Sequence, residues 1–460
     1  MRLLIVLFFF FCVSNLFSQK NISYASVDSA SYVEYLRNDF KAIKETGKRA
    51  LKEGVDFFDF RMRLAILGYN EKNYEYAIEH FEAAYSMNPA NEVVQEYLYY
   101  TYLFIGRTEN ANALASLLSL DFQKNVGYVK KKIDSIILSG GTYMNSNNKS
   151  GQDRQLLGQP YVFGDLISNG VTNGGGLVVE NTFGNRLHFY NKVAGYKTNV
   201  YSKYEFAYKD LLNFTTNRNL KSEKEYTNLQ YQFNTGLAYQ FQNGLLIGLG
   251  GAFFQTNTTS FWSTAIKSAD LTRMVFVDST ESINYSNYLV SLSIGKRMKY
   301  IFPQITGTYS NLYSTNQYQG EVSLSYFPFG NMKLFGNTSF AYINNNEAIQ
   351  NVFGQKIGFI VSKNVWLEAK YSKGNHMNYM SSLGFTSYNT PNPVLQNTGL
   401  DLHLTGKKVE FILSYSYQTR EGYYTKYTQT GLSPNTIFTA NYFNYNYSNN
   451  NITTTIKWNF

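Results

Sequence analysis

Cysteine, charge and long apolar runs are all scarce in this chain of 460 residues. The single cysteine, Cys12, lies in the apolar segment at the start, so the rest of the chain offers no disulfide, thiol nucleophile or cysteine metal ligand. Charged residues make up 16% of the sequence, well below the roughly 25% of an ordinary soluble domain. After residue 18 no stretch approaches the about 18 apolar residues that a membrane-spanning helix needs.

Aromatic residues are abundant instead, at 17% of the chain, with 41 Tyr and 35 Phe. The mean hydropathy is nevertheless slightly polar, at −0.31. A sheet can use so many aromatic side chains without long apolar runs, because only alternate residues of a strand share a face. The net charge of +9 would permit nucleic-acid binding. No basic cluster stands out, however, so we expect no nucleic-acid partner and instead a basic surface facing anionic lipid or an acidic polymer.

The first residues, MRLLIVLFFFFCVSNLFSQK, predict a secretory signal peptide over residues 1–18. One Arg precedes an apolar run from Leu3 to Val13, and a short polar stretch leads to a cleavage site between Ser18 and Gln19. The alternative, a membrane anchor, is disfavoured because the apolar run is too short to span a bilayer.

Residues 19–130 have the apolar spacing of paired helices. The stretch DFRMRLAILGYNEKNYEYAIEHFEAAYSMNPAN (59–91) holds two amphipathic runs separated by a polar break and closed by Asn88-Pro89. The same pattern recurs 34 residues later in 91–120, and residues 31–54 hold a degenerate earlier copy. The small and large positions of this pattern resemble those of the tetratricopeptide (TPR) repeat and are occupied here by Ala65, Ala77, Phe81, Ala84 and Pro89.

The TPR resemblance implies an α-solenoid with a concave groove that docks a periplasmic protein partner. Our candidates for the groove are Arg61, Gln95, Tyr99 and Tyr102. The alternatives are solvated helix faces and an unrelated helical bundle. His80, next to Glu79 on a helix, is expected at the surface rather than as a ligand.

From about Asp134 the apolar period changes from helical to two. In KKVEFILSYSYQ (407–418) one face carries large apolar residues and the other carries mainly polar ones, and NYLVSLSIG (287–295), GLLIGLGGAF (244–253) and GLDLHLTG (399–406) repeat this alternation. One face of such a strand suits lipid and the other suits water.

Connection lengths distinguish a membrane barrel from a soluble sandwich, which also alternates. Tight turns such as QN (242–243) and GKK (406–408) alternate with longer polar stretches at 147–171, 199–226, 257–283 and 374–396. This is typical of an up-and-down barrel with short turns on one side of a membrane and long loops on the other.

The sequence therefore predicts an antiparallel transmembrane β-barrel of about 14 strands over residues 131–460. Twelve or sixteen strands are the alternatives, because 376–390 and 437–447 could each hold an extra strand. The predicted strands lie near 134–146, 173–183, 186–198, 227–241, 244–256, 285–296, 300–311, 318–327, 331–342, 350–361, 365–373, 397–405, 408–420 and 446–460.

The chain ends on TTTIKWNF, in which Ile456, Trp458 and Phe460 are predicted to face lipid. A sheet in lipid must close, so this last strand is expected to pair with the first. A terminal aromatic resembles the insertion signal of bacterial outer-membrane barrels. The resemblance implies that Phe460 is read by the barrel insertion machinery and that outer-membrane lipid surrounds the barrel.

Inward positions of the predicted strands collect charges of both signs. A pore selective for one ion sign would show rings of like charge, so the mixture favours a bonded network inside the lumen over a selectivity filter. The candidate lumen-facing residues are Glu180, Arg186, Lys192, Glu321, Lys333, Lys356, Glu368, Lys370, Asp401 and Glu410.

The sequence predicts no catalytic, cofactor or metal site. His188, His376 and His403 have no nucleophile motif such as G-x-S-x-G near them, and the scattered histidines form no ligand cluster at recognisable spacing. We therefore expect that the protein is not an enzyme, and a surface lipid-modifying enzyme is the least favoured function.

The order of signal peptide, TPR-like helices and barrel resembles the exporters of bacterial exopolysaccharides and the YaiO-like outer-membrane proteins. It implies an outer-membrane pore or export component, for polysaccharide or another polymer or solute, with its helical domain in the periplasm. The alternative is a plugged outer-membrane anchor or scaffold that recruits a periplasmic complex. The chain departs from the exporters in its small number of repeats, and it matches the YaiO-like proteins in architecture alone.

Overall fold

The chain divides into two compact units, the first ending at Tyr128 and the second running from Val129 to Phe460. The predicted signal peptide lies outside the residues that the structure describes. This computed structural model describes residues 23–130, 133–145, 162–212, 215–298, 300–312, 315–329, 332–345, 348–388, 392–429 and 438–460.

The described part of the first unit consists of seven helices. None of them is long and apolar enough to cross a membrane. They are α1 (Tyr24–Leu36), α2 (Phe40–Lys52), α3 (Phe58–Asn70), α4 (Tyr74–Met87), α5 (Glu92–Phe104), α6 (Thr108–Ala115) and α7 (Leu120–Asn125).

The first six helices form three hairpins with a common period. The first helices of the hairpins begin at Tyr24, Phe58 and Glu92, and the second helices at Phe40, Tyr74 and Thr108, so each step is 34 residues. Fully buried small residues, Ala65, Ala77 and Ala84 among them, let the paired helices approach closely.

The turn inside each hairpin has the same backbone conformation. Asn38, Lys72 and Gly106 follow α1, α3 and α5 with φ values of 55°, 59° and 73°. The next amide in each turn donates to a carbonyl five residues back, as in Arg107 N to Tyr102 O at 2.8 Å, which is the Schellman arrangement. The first hairpin is therefore complete, although its sequence lacks the turn glycine because Asn38 tolerates this conformation.

The second unit is built around a closed antiparallel barrel of fourteen strands among the described residues. Its strands are β1 (Ser135–Asn145), β2 (Val162–Phe183), β3 (Leu187–Lys209), β4 (Asn217–Gln240), β5 (Leu245–Lys267), β6 (Met274–Lys296), β7 (Ile301–Ser310), β8 (Gln317–Tyr326), β9 (Leu334–Asn344), β10 (Ile349–Ser362), β11 (Val365–Gly374), β14 (Val394–Thr405), β15 (Val409–Gln429) and β16 (Phe438–Asn459). Two short strands, β12 (Met380–Ser381) and β13 (Thr386–Ser387), form a separate sheet.

The predicted closure and strand count are confirmed. The last strand pairs with the first from Asn459 opposite Ser135 to Asn449 opposite Asn145. Both barrel ends thus lie at the end of the barrel that carries the short turns. The two segments considered for extra strands add none to the barrel among the described residues, since 438–447 belongs to β16 and 376–388 contains the small separate sheet.

The outer face of the barrel is apolar along its strands. Leu249 and Phe253 on β5 are 50% and 49% exposed, while the alternate residues Gly248 and Gly250 are buried. The same alternation holds on the other strands, whose exposed apolar residues include Leu138, Val193, Phe233, Tyr288, Val290, Leu292, Ile305, Val322, Phe340, Ile357, Leu400, Leu413 and Ile452. A closed sheet with so much outward apolar surface is a membrane-spanning β-barrel.

Several strands are far longer than a membrane requires. The hairpins β3–β4 and β5–β6 continue as paired strands through 199–209 with 217–226 and 257–267 with 274–283, where the sequence suggested loops. This part of the prediction was wrong because polar alternation on an exposed sheet resembles a polar loop. We give the name outer cap to the parts of these strands that lie farthest from the short turns. They are 162–169 of β2, 199–209 of β3, 217–226 of β4, 257–267 of β5, 274–283 of β6, 420–429 of β15 and 438–447 of β16.

The outer cap has its own pairing and core. The end of β15 pairs with the start of β2, for example Tyr424 opposite Leu166, in addition to its partners in the barrel. Leu166, Ala207, Tyr445 and Tyr447 form a buried cluster between these extensions.

Candidate functional site inside the barrel

The connection between β11 and β14 folds into the barrel instead of extending outward. We call its described part, residues 375–388 and 392–393, the inner loop. His376 is fully buried, and Asn378 and Met380 are each 2% exposed. The sequence placed 374–396 in a long outer loop, and this expectation is corrected by the contacts below.

The inner loop is turned inward at its start by Gly374 and His376. Gly374 has a φ of 135°, a conformation that favours glycine. The main-chain nitrogen of His376 donates to Val394 O at 2.9 Å, and its ring nitrogens lie 2.8 Å from Ser372 Oγ and 2.7 Å from Val394 O. These bonds join the two ends of the loop.

The first half of the inner loop runs along the inner face of β8. The Nε2 atoms of Gln317 and Gln319 donate to the carbonyls of Asn378 and Met380 at 2.8 and 2.6 Å. Gln319 Oε1 also accepts from Met380 N at 3.1 Å. The next inward residue, Glu321, accepts from Tyr379 Oη at 2.8 Å.

The tip of the inner loop reaches the far wall of the barrel. Ser382, Leu383 and Gly384 turn the chain sharply with φ values of 53°, 56° and 89°. Asn234 Nδ2 on β4 donates to Gly384 O at 2.8 Å, and Lys192 Nζ on β3 donates to Phe385 O at 2.8 Å. In the closed strand order β3 lies nearly opposite β11 and β14, so the loop crosses the lumen.

Glycines on the far wall leave room for the tip. A Cβ added at Gly250 would lie 2.7 Å from Leu383 Cβ, and one at Gly248 would lie 3.0 Å from Leu383 Cδ1. A Cβ at Gly236 would lie 3.2 Å from the ring of Phe385. At these three positions the wall therefore presents only its main chain to Leu383 and Phe385.

The contact between loop and wall leaves polar atoms unsatisfied. Asn378 Oδ1, Gln317 Oε1 and Asn234 Oδ1 are buried and have no hydrogen-bond partner among the described residues. An unsatisfied buried polar group costs about 1–3 kcal/mol. The interface is thus polar and incompletely bonded, unlike a packed core.

The lumen wall is covered unevenly. Inward residues on β4 to β6, such as Asn234, Phe254 and Leu289, are buried. Several inward residues of β16, β1 and β2 are partly accessible, and they include Ile137, Ser139, Gly141, Gly176, Val178, Thr453 and Thr455. Because these residues face inward, their accessible surface borders space inside the barrel.

Charged residues near the short-turn end form a mixed network. Glu368 Oε1 lies 3.2 Å from Lys356 Nζ and 3.4 Å from Lys370 Nζ. Lys370 also pairs with Asp401 on the next strand. The two carboxylates have side chains that are 8% exposed, while the lysines remain 42% and 38% exposed.

Two further pairs complete this region. Lys457 Nζ on the last strand donates to Glu180 Oε2 on β2 at 3.0 Å. His403 Nδ1 lies 2.8 Å from Glu410 Oε1, and its ring stacks on Trp366 with centroids 3.6 Å apart. Lys457 was not among the predicted lumen candidates, although the alternation of the terminal strand places it on the inward face.

The structure places the candidate lumen residues in two groups. Eight of them lie on inward strand positions, and Arg186 and Lys333 do not. Arg186 lies in the turn between β2 and β3, and Lys333 is exposed just before β9. Their inward assignment is corrected because β3 starts at Leu187 and β9 at Leu334, one and three residues later than predicted, so both residues precede their strands. Lys192 and Glu321 hold the inner loop rather than the charged network.

The candidate groove residues of the helical unit are engaged in internal contacts. Tyr99 and Tyr102 are 6% and 9% exposed and belong to the core, and Tyr102 Oη donates to Glu82 Oε1 at 2.9 Å. Gln95 Nε2 donates to Pro89 O at 2.8 Å. The two tyrosines are therefore packing residues here, because their side chains point between the helices.

The Arg61 side chain contacts a carboxylate and a buried histidine. Its guanidinium bonds both carboxylate oxygens of Asp56, at 2.6 and 2.7 Å, and lies 2.7 Å from His80 Nδ1. His80 is 3% exposed, so the expected surface position was wrong. Burial, and secondly the Arg61 charge, lower the pKa of His80 to about 4.

No group of three or more His, Cys, Asp or Glu side chains that could hold a metal occurs in the part of the chain that the structure describes. His188 Nδ1 lies 2.9 Å from Thr182 Oγ1. His376 forms a serine–histidine pair with Ser372, but its other ring nitrogen faces main-chain carbonyls and the ring is fully buried. This geometry holds a loop rather than activating a nucleophile.

No family model and no curated protein matches the chain. Among solved structures, a FadL homologue of Pseudomonas aeruginosa is 8% identical, with a TM-score of 0.40 over 76% of this chain and 92% of that chain. The toluene transporter TodX of Pseudomonas putida is 7% identical, with a TM-score of 0.39 over 73% and 91%. The KdgM porin is 9% identical, with a TM-score of 0.27 over 51% and 95%. Likenesses this distant carry no conclusion about function.

Proposed function

We propose that the chain is a solute channel of a bacterial outer membrane whose lumen is narrowed by the inner loop. One observation carries this proposal. The inner loop crosses the lumen, and inward residues of β16, β1 and β2 remain partly accessible beside it. A barrel used only as an anchor has no need of space along its inner wall.

The size of the barrel supports the proposal. Fourteen strands spaced about 4.8 Å apart and tilted by about 40° give a backbone radius of about 14 Å. Eight strands already enclose an interior that side chains can fill. The additional width accommodates the inner loop and a passage beside it.

The outer-membrane location is supported by the sequence and the outer surface together. The signal peptide predicted over 1–18 would export the chain, and the exposed apolar side chains of the barrel require lipid. Phe460, 55% exposed at the end of the chain, matches the terminal aromatic that the barrel insertion machinery reads. The short-turn end would face the periplasm, since turns there are brief.

The helical unit would be a periplasmic TPR-type domain that docks a protein partner. Three hairpins with a period of 34 residues and small buried residues at the helix contacts support this assignment. The transported solute would be a polysaccharide or another polymer or solute, and the partner would belong to the same transport process. We assign no catalytic role, cofactor or nucleic-acid partner to the chain.

Single-channel recording in planar bilayers tests the proposal. The full chain is compared with a variant in which residues 376–392 are replaced by a short Gly-Ser turn, since β11 and β14 already pair directly. We expect small or rare openings for the full chain and a stable, larger conductance for the variant. Heat-modifiable migration on a gel verifies that the variant barrel is folded.

A plugged anchor is the second candidate, and the extra pairing of β15 with β2 in the outer cap favours it. In that case the loop-shortened variant would remain closed in the bilayer. A folded variant without conductance would therefore contradict the channel and leave the helical unit as the functional part.

A further inference from the structure

Two tyrosines lie inside the barrel near the accessible wall. Tyr143 on β1 and Tyr196 on β3 face inward, as their strand parity with Ser139 and Lys192 requires, and both are partly accessible. Tyr388 of the inner loop packs instead with His376 and Tyr379, at ring-centroid distances of 5.3 and 5.9 Å. We call Tyr143 and Tyr196 the aromatic shelf.

The two members of the aromatic shelf lie near each other in the strand register. Gly141, the inward residue before Tyr143, lies opposite Gly174 on β2, and Gly174 lies opposite Tyr196 on β3. The strand parity of Tyr196 turns its ring into the lumen rather than toward the membrane.

Glycines leave the wall beside the shelf without side chains at several inward positions. Gly174 lies opposite both Gly141 and Tyr196 in the strand register. A Cβ at Gly174 would lie 2.7 Å from Tyr196 Cε1, so the ring of Tyr196 rests on the main chain of β2. With Gly176 next on the same face, β2 presents only main chain at these two positions.

Between the shelf and the nearest ion pair this wall carries hydroxyl side chains, whereas the apolar Ile137 and Val178 lie opposite each other at the level of Lys457. Ser139, Thr453 and Thr455 are partly accessible and face inward between the shelf and the ion pair of Lys457 with Glu180. The lining therefore combines flat aromatic faces with hydroxyl donors and acceptors. An apolar solute would leave these hydroxyls unbonded, and an ion would find no accessible opposite charge at this level.

We infer that the aromatic shelf and its bare glycine wall bind a neutral oligosaccharide. A sugar ring has an apolar C–H face that suits an aromatic ring and equatorial hydroxyls that suit Ser and Thr side chains. Aromatic contacts of this kind contribute about 0.5–1.5 kcal/mol beyond area burial. This inference rests on the proposed channel function, whose solute class it specifies.

Calorimetric titration of maltohexaose into the full-length protein in detergent micelles tests the inference. Polyethylene glycol of similar mass is the control for a chain without sugar rings. We expect saturable binding of maltohexaose only, and we expect Tyr196→Ala to weaken it about three- to tenfold. Tyr196→Phe should retain most of the affinity, because the ring face remains.

Tyr231→Ala is the matched control variant. Tyr231 lies on the neighbouring strand opposite Gly195, is 54% exposed, and faces outward. It should leave the affinity unchanged. The same titration on the loop-shortened variant covers the case in which the inner loop restricts access.

The inference is overturned if neither the full chain nor the loop-shortened variant binds maltohexaose. It is also overturned if polyethylene glycol binds equally, or if Tyr196→Ala and Tyr231→Ala behave alike. These outcomes are distinct from failure of the channel, because binding is measured without conductance. A barrel that conducts but does not bind maltohexaose would support the proposed function and contradict this inference.

Discussion

Lys192 and Phe385 are joined across the lumen by a hydrogen bond of 2.8 Å, from the ammonium group of one to the main-chain oxygen of the other. They are 193 residues apart in sequence. The bond ties the tip of the inner loop to the wall opposite its origin. It uses a charged donor that would otherwise face water in the lumen.

Removing this donor should loosen the inner loop. Lys192→Met keeps the length of the side chain but loses a charged hydrogen bond, which is worth about 1.5–3 kcal/mol. We expect open probability in bilayers to rise by about tenfold. Lys197→Met, at an exposed position on the same strand, is the control, and equal open probabilities for the two variants would contradict the role of Lys192.

Adding bulk to the far wall should expel the loop tip. In Gly250→Val the side chain would occupy the position of Leu383, whose Cβ lies 2.7 Å from the added Cβ. We expect higher conductance from a barrel that remains folded. Gly307→Val is the control because nothing lies within 4 Å of a Cβ there. A closed channel in Gly250→Val would show that the tip does not restrict flow.

The charged network should influence ion preference. Glu368→Gln leaves Lys356 and Lys370 with one negative partner fewer, at 3.2 and 3.4 Å from the altered group. We expect the reversal potential in a KCl gradient to shift toward that of chloride. Glu281→Gln, on an exposed part of β6, should cause no shift, and a shift of equal size there would exclude a local effect.

Stability of the helical unit should depend on pH through His80. Its folded pKa of about 4 lies below the unfolded value of 6.5, so the unfolded state binds the proton first. Stability is therefore complete above about pH 6.5 and falls as the pH drops toward 4. The expected loss at pH 5 is about 2 kcal/mol.

Denaturation of the full chain followed by helical circular dichroism at pH 7 and pH 5 measures this effect. His80→Gln should reduce the difference between the two pH values. Asp56, Arg61 and Tyr76 surround the His80 ring. If the variant keeps the same pH dependence of stability, groups other than His80 cause it.

The chain terminus should govern assembly. Phe460 N donates to Asp134 O at 3.1 Å, next to the first strand, while its ring stays exposed. Phe460→Ala should lower the fraction of heat-modifiable barrel in the outer membrane, with little effect on refolding in detergent. Phe329→Ala, which alters a 65% exposed ring near a turn, is the control, and equal losses would argue against a terminal signal.

The barrel could be predicted because its pattern is local. Alternation in segments such as 287–295 fixes which residues face lipid, and tight turns fix the neighbours of each strand. The helical period was equally visible, since Ala77 and Ala111 repeat at 34 residues. Only the ends of the strands were misplaced, where polar alternation continues into the outer cap.

The inner loop could not be predicted because its partners are distant in sequence. Its segment 376–390 has the composition of an ordinary polar loop, and its burial depends on Gln319, Asn234 and Lys192, which appear in their own strands as routine inward residues. One signal was present: Gly248 and Gly250 leave an inward face bare, and a wide barrel rarely needs that without something packed against it.

The most direct test of a loop that restricts the lumen is a reversible disulfide between Gly250→Cys and Leu383→Cys. The mature chain has no other cysteine if the predicted signal peptide is removed. The two Cβ positions are 2.7 Å apart, shorter than the about 3.5–4.5 Å of a disulfide, so the loop tip must move away by about 1 Å for the bond to form. We predict that the oxidised double variant is closed in planar bilayers and opens when dithiothreitol is added. Conductance that is the same in the oxidised and reduced forms would contradict the account.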